Sequence, residues 1–223
     1  MVALSCSTII SKPRTEALIS PMTFPLTTTL NRIWAYDPCD RVKSHVLKTA
    51  GKSSPDDEPV TYGSIALEDA TWCCKSEPLF DALWCCRVEP QYELVWRKYA
   101  AWCARQVQHL MTDERSFEAL DIAENCYNRV RDDGSYNPWD AWAAAWAAER
   151  NSWGTSQSTG WAAVAAARAI SWNPASDAAL GTARAAARAA SFETTPGSRE
   201  STLTFQKQAF IQLVTTGTLP PHG

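Results

Sequence analysis

Eight cysteines and three histidines are the side chains with which this chain of 223 residues could hold a metal ion or attack a substrate. A structural zinc site draws about four such ligands together, commonly through C-x-x-C pairs. Here the cysteines stand as adjacent pairs, Cys73-Cys74 and Cys85-Cys86, and neighbouring side chains on a helix diverge by about 100°. Beside Trp72 and Trp84, with Cys103 beside Trp102, they read as small apolar residues of helix cores carrying free thiols. A thiol nucleophile needs a histidine within hydrogen-bond reach. Cys103 and His109 share a predicted helix but lie about 240° apart around it. Cys39 and His45 are divided by a turn and can meet, yet the residues around them supply no orienting group; His222 belongs to the tail. The glycine spacings of phosphate loops and dinucleotide fingerprints are missing, as is G-x-S-x-G. No catalytic residue, metal or cofactor is predicted.

Charged side chains offer binding instead. Asp56, Asp57 and Glu58 lie between Pro55 and Pro59; they read first as a solvated surface loop that caps the next helix, and second as a patch that meets basic groups on a partner. Arg150, Arg168, Arg184 and Arg188 interrupt an alanine run. Arginine is favoured at protein interfaces, although on an alanine helix it also serves to keep the outer face wet. Trp139, Trp142 and Trp161 read either as core or as interface residues.

The elements that carry these residues are predicted to be helices. From Trp139 to Phe192 the chain reads WDAWAAAWAAERNSW, GWAAVAAARAISW and GTARAAARAASF, and alanine loses no side-chain entropy on entering a helix. Lining up Ser152-Trp153, Ser171-Trp172 and Ser191-Phe192 exposes a repeat of about twenty residues, predicted as stacked short helices. Alanine lets backbones approach closely, and a wholly buried tryptophan contributes roughly 4–6 kcal/mol. A second duplication sets EDATWCCKSEP (68–78) against FDALWCCRVEP (80–90), with seven of eleven positions identical. Asp69 and Asp81 are placed to cap two short helices, which Pro78 and Pro90 end.

Two short helices are predicted between Pro25 and Gly51, and one longer helix from Tyr92 to Met111 on the stripe Val95, Trp96, Tyr99, Trp102, Cys103 and Val107. Another, capped by Thr112 or Asp113, has Phe117, Leu120, Ala123, Tyr127 and Val130 on its inner face. After the loop TTPGSRE a last amphipathic helix spans 203–214. No stretch alternates for long enough to demand a strand, so the fold class is all-α: one compact domain over 22–214 without significant sheet. Its parts are the N-terminal helices (22–131), the Ala/Trp repeat (139–192) and the last helix. Residues 1–21 are predicted to be a flexible leader, with Met22 an alternative start, and 215–223 a loose tail.

A formal charge of −3 with both signs scattered argues against direct nucleic-acid binding and against a basic membrane-surface helix. No apolar run approaches the roughly twenty residues of a membrane span, and the opening lacks the positive region of a secretory signal. A cytoplasmic protein is expected.

The segment DDEP (56–59), the D-A-L-W-C run within 79–90 and the alanine tract together resemble the alanine-rich putative immunity proteins of bacteria and phages, over about Met22 to Phe192. The resemblance implies a non-catalytic protein in a bacterial host cell that binds and neutralises another protein. Its target would be a toxin or, for a phage-encoded blocker of the anti-CRISPR kind, a defence effector. A monomer or small homo-oligomer is expected. A structural protein assembling through its alanine faces is the second reading, and a thiol enzyme the third.

Overall fold

The structure is a computed structural model that describes residues 22–67, 78–132, 161–162, 164–165, 168–169, 175–192 and 197–221, with the backbone alone for 126–132. The leader, the first copy of the Trp-Cys-Cys duplication, Trp139, Trp142, Trp146, Arg150, Trp153 and His222 lie outside the described residues, as do the side chains of Tyr127 and Val130. The all-α expectation holds: helices pack on helices, and a single short two-stranded ribbon is the sheet of the described residues.

That ribbon sits where sequence periodicity suggests no strand. Strand β1 (Thr27–Thr29) pairs antiparallel with β2 (Pro59–Thr61), Thr27 facing Thr61 and Thr29 facing Pro59. Three residues are too few for an alternation to register, but β-branched threonines suit extended backbone. Each strand runs directly into a helix. Thr29 Oγ1 accepts from Arg32 N at 3.3 Å to cap α1 (Leu30–Trp34), and Thr61 Oγ1 accepts from Ser64 N at 3.1 Å to cap α3 (Tyr62–Ile65). Helix α2 (Asp40–Thr49) lies between them and buries Val42, His45 and Val46. The Pro55–Pro59 loop is therefore not wholly on the surface, because its end becomes β2 with Val60 in the core.

Helix α4 (Pro78–Cys85) corrects the reading of the duplicated unit. Pro78 opens this helix, a position where proline's missing N–H costs nothing, and the helix expected before it lies outside the described residues. Pro90 likewise begins the short 3-10 turn Pro90–Tyr92 that leads into α5 (Glu93–Arg105). Asp81 is consequently inside α4 and faces inward, 1 % exposed, where a helix cap is predicted. Cys85 and Cys86 do form the buried side, and with Cys39 and Cys103 they carry free thiols.

Helix α5 is the centre of the molecule. Its predicted stripe of Val95, Trp96, Tyr99, Trp102 and Cys103 is buried throughout. Trp96 meets Tyr62 edge-on at 5.2 Å between centroids and stacks on Phe210 at 6.1 Å, while Tyr99 meets Phe210 at 5.4 Å. Phe210 belongs to α8 (Ser198–Thr216), which is longer than predicted at both ends. On the other side α5 packs most extensively against α7 (Ala175–Ala190), whose alanines are buried on nearly every face. Gln206, fully buried, joins the two: its Nε2 donates to the Ala183 carbonyl at 3.3 Å, and Tyr99 donates to the Gln206 backbone carbonyl at 3.0 Å.

Helix α6 (Glu114–Asp132) is capped by Asp113, whose Oδ1 accepts from Arg115 N at 2.9 Å. Arg105 ties it to α5 by gripping Glu124 and Asp121. Leu120 and Ala123 are buried as predicted, but Phe117 of the same stripe is 36 % exposed. The tail after α8 is not loose as far as Pro221. Gly217 turns the chain with φ +78°, and Trp102 Nε1 then donates to the Pro220 carbonyl at 3.0 Å. A methyl on Gly217 would meet the Phe24 ring at 2.7 Å, so both the positive φ and the close ring demand glycine.

Because Trp96 holds α3, α5 and α8 together, Trp96→Ala is expected to destabilise the protein by about 3–5 kcal/mol in urea denaturation, with the cavity term included. A loss of under about 1 kcal/mol would show that the ring cluster is not what joins these helices.

Candidate functional site

Packing leaves α7 a single open stripe. Asp177, Gly181, Arg184 and Arg188 follow one another at helical spacing along it, while the alanines around them are covered. Asp177 is neutralised by Arg87 at 2.9 Å, and Arg87 also lies 4.5 Å over the Trp84 ring. Arg184 and Arg188 make no ion pair among the described residues and project one turn apart on the surface. Each is steadied by an aromatic face: the Arg184 guanidinium lies 5.0 Å above Phe80 of α4, and Arg188 lies 4.6 Å above Trp161. Stacking of this kind holds the guanidinium plane and leaves its N–H edge available.

Two more arginines reach the same place. Arg168, exposed on the helical residues around Trp161, lays its stem across Gly181, where an added methyl would touch its Cδ at 3.4 Å. Arg199 comes from the first turn of α8, with Glu200 as a distant partner at 3.7 Å. Together with Phe80, Trp161 and Phe192 these four arginines line an open cavity of about 580 Å³, and among the described residues that line it none is a carboxylate. Phe192 is 40 % exposed at its edge. Of the residues singled out from sequence, the fold therefore brings Arg168, Arg184, Arg188 and Trp161 together, and Arg150 lies outside the described residues.

Beneath this face sits Asp81, the residue after Phe80. Its carboxylate is 2.9 Å from Arg41 of α2, and its Oδ2 has no hydrogen-bond partner among the described residues. Burial pushes its pKa up from 3.8, against the opposing pull of Arg41, His45 and Arg184. Burial first, and then the like charge of Arg41, hold Arg184 below its usual pKa, against the opposing pull of Asp81.

The acidic loop lies apart from the cavity lining. Lys52 Nζ bonds Asp56 at 2.6 and 2.7 Å and Glu58 at 2.7 Å, and Asp56 also accepts from Glu58 N at 3.1 Å. The lysine holds the Asp56 carboxyl below its usual pKa. Asp57 is left exposed. The loop is thus a clasp that fixes the approach to β2, with one outward acid.

Neither thiol–histidine pair is assembled. Cys39 is exposed at the start of α2, where the Val42 N–H lowers its pKa, while His45 turns into the core and donates Nε2–H to the Ile65 carbonyl at 2.7 Å. Cys103 is buried, its pKa raised by desolvation, and His109 is exposed in the Gln108–Leu110 turn. Among the described residues no three His, Cys, Asp or Glu side chains are grouped as for a metal ion, and no helix is long and apolar enough to cross a membrane.

Sequence reading missed Phe80, Phe192, Arg199 and the Arg41–Asp81 pair. Arg199 is in a stretch predicted to be loop, and Asp81 in one predicted to cap. A signal was present for Phe192, which ends the third alanine repeat, but nothing local shows which neighbour it meets. No family model, curated protein or solved structure matches the chain.

Asp81 gives the site a pH signature. With a folded pKa above 3.8, the native state holds more protons than the unfolded state across the interval between the two values, so this residue costs stability as pH rises through it. In urea denaturation between about pH 3 and pH 7, the stability of Asp81→Asn minus that of the wild type is expected to rise with pH and then level off. A difference that falls with pH would mean that the Arg41 pair outweighs burial.

Proposed function

We propose that the protein is a non-catalytic inhibitor that binds and neutralises another protein, with the arginine and aromatic face of α7 as its docking surface. In this reading it is an immunity protein against a toxin or a phage-encoded blocker of a bacterial defence system. The observation that carries the proposal is the gathering of Arg168, Arg184, Arg188 and Arg199 beside Phe192, with no acidic side chain among the described residues of the lining. Like charges brought together cost folding free energy, and an acidic partner surface would offset that cost on binding. Guanidinium groups held on rings lose little entropy when they engage a carboxylate, and arginine with aromatic residues is the composition of binding hot spots. The D-A-L-W-C resemblance points the same way.

Tagged wild type and an Arg184→Glu/Arg188→Glu variant are to be compared in affinity capture from bacterial lysate, with circular dichroism verifying the fold. The wild type is expected to retain a protein with an acidic surface, and the variant to lose at least about tenfold in affinity, as charge-pair removal does. Equal retention by both would dismiss this face as the docking surface.

A further inference from the structure

The same cavity has properties that a flat docking surface does not need. It is concave, its volume of about 580 Å³ falls within the roughly 300–1,000 Å³ of small-ligand sites, and four guanidinium groups face it from three separate parts of the chain. A peptide spreads its carboxylates along a backbone, at best about one every 3.3–3.6 Å and on alternating sides. A diphosphate instead concentrates its charge on adjoining groups whose oxygens accept the forked N–H edges of arginine in pairs. Arg184 and Arg188 present such edges, because the Phe80 and Trp161 rings hold their planes. Among the described residues of the lining none is a carboxylate, the usual ligand of a magnesium ion, and the four arginines are the groups at hand to balance the ligand's charge. At the rim Phe192 is 40 % exposed, an aromatic ring on which a base can stack.

We propose that this cavity binds a nucleotide without a metal ion, its phosphates on Arg168, Arg184, Arg188 and Arg199 and its base against Phe192. Burial of Arg184 near Arg41 agrees with this, since an added anion offsets the like charge of Arg41. The inference goes beyond the docking proposal and does not require it. A bound nucleotide would cover the positive face that an acidic partner uses, making the two alternative occupants.

The test is isothermal titration calorimetry on the full chain at low salt and without magnesium, using ADP, inorganic pyrophosphate, adenosine and a hexaglutamate peptide as probes. ADP is expected to bind most tightly, pyrophosphate more weakly, and adenosine not measurably. Arg184→Gln/Arg188→Gln should weaken ADP by about ten- to a hundredfold, in line with lost charge-assisted hydrogen bonds. Phe192→Ala should bring ADP close to the affinity of pyrophosphate. Should the double variant fail to fold, Arg199→Gln on the exposed first turn of α8 carries the same test, with an expected loss of about tenfold. No heat with ADP up to about millimolar concentration, adenosine binding as well as ADP, or folded arginine variants binding ADP like the wild type would each overturn the proposal. Tighter binding of hexaglutamate than of ADP would overturn it too while leaving the docking surface standing. Conversely, nucleotide binding combined with partner capture indifferent to Arg184 and Arg188 would sustain the nucleotide site and end the docking proposal.

Discussion

The close seating of α7 on α5 is the constraint from which the other features follow. A helix whose side chains are mostly methyl groups can be surrounded by neighbours at short range, and α7 is covered by α4, α5 and α8 at once. A helix buried so completely has only one strip on which long or charged side chains fit. Arg184 and Arg188 must emerge there, and with them the positive character of that side of the molecule. The arginine-rich face is thus a by-product of how this alanine-rich helix is buried. Replacing those alanines by larger residues would push the neighbours away and disperse the arginines.

Aromatic rings serve two different ends. Trp96, Tyr62, Tyr99 and Phe210 form the adhesive between α3, α5 and α8, with edge-on and stacked contacts that add to simple burial. Phe80, Trp84 and Trp161 are only partly covered and carry arginines on their faces. The first set supplies stability, and the second converts flexible cations into oriented ones. The two buried carboxylates among the described residues show the same division. Glu89, 1 % exposed, is fully engaged by Thr28 at 2.8 Å, Arg32 at 2.8 Å and Gln91 at 2.6 Å, and it locks the ribbon to the start of α5. Asp81, equally buried, keeps an oxygen without a hydrogen bond and sits under the arginine face. An unsatisfied buried carboxylate is costly where packing alone is at stake, and its place beside Arg41 and Arg184 gives the charge an electrostatic use.

Sequence alone determined what each helix is made of and which of its own faces turns inward. The period of Val95, Trp96, Tyr99, Trp102 and Cys103, the alanine content of 175–190 and the Leu203, Phe210, Leu213 and Val214 face all express local geometry, where residues three or four apart must share a side. The three described arginines were singled out on the same basis, as the long side chains that an alanine helix could not bury. The tertiary structure alone decided which faces of different helices meet. It drew Phe80 from α4, Arg199 from α8 and Arg168 from the Trp161 segment to one cavity, turned Asp81 inward from an expected cap, paired two three-residue strands 32 residues apart in register, and fastened Pro220 to Trp102. The physical reason is range. Periodicity and capping are set by neighbours a turn away, whereas convergence of charges depends on packing between segments that share no local pattern.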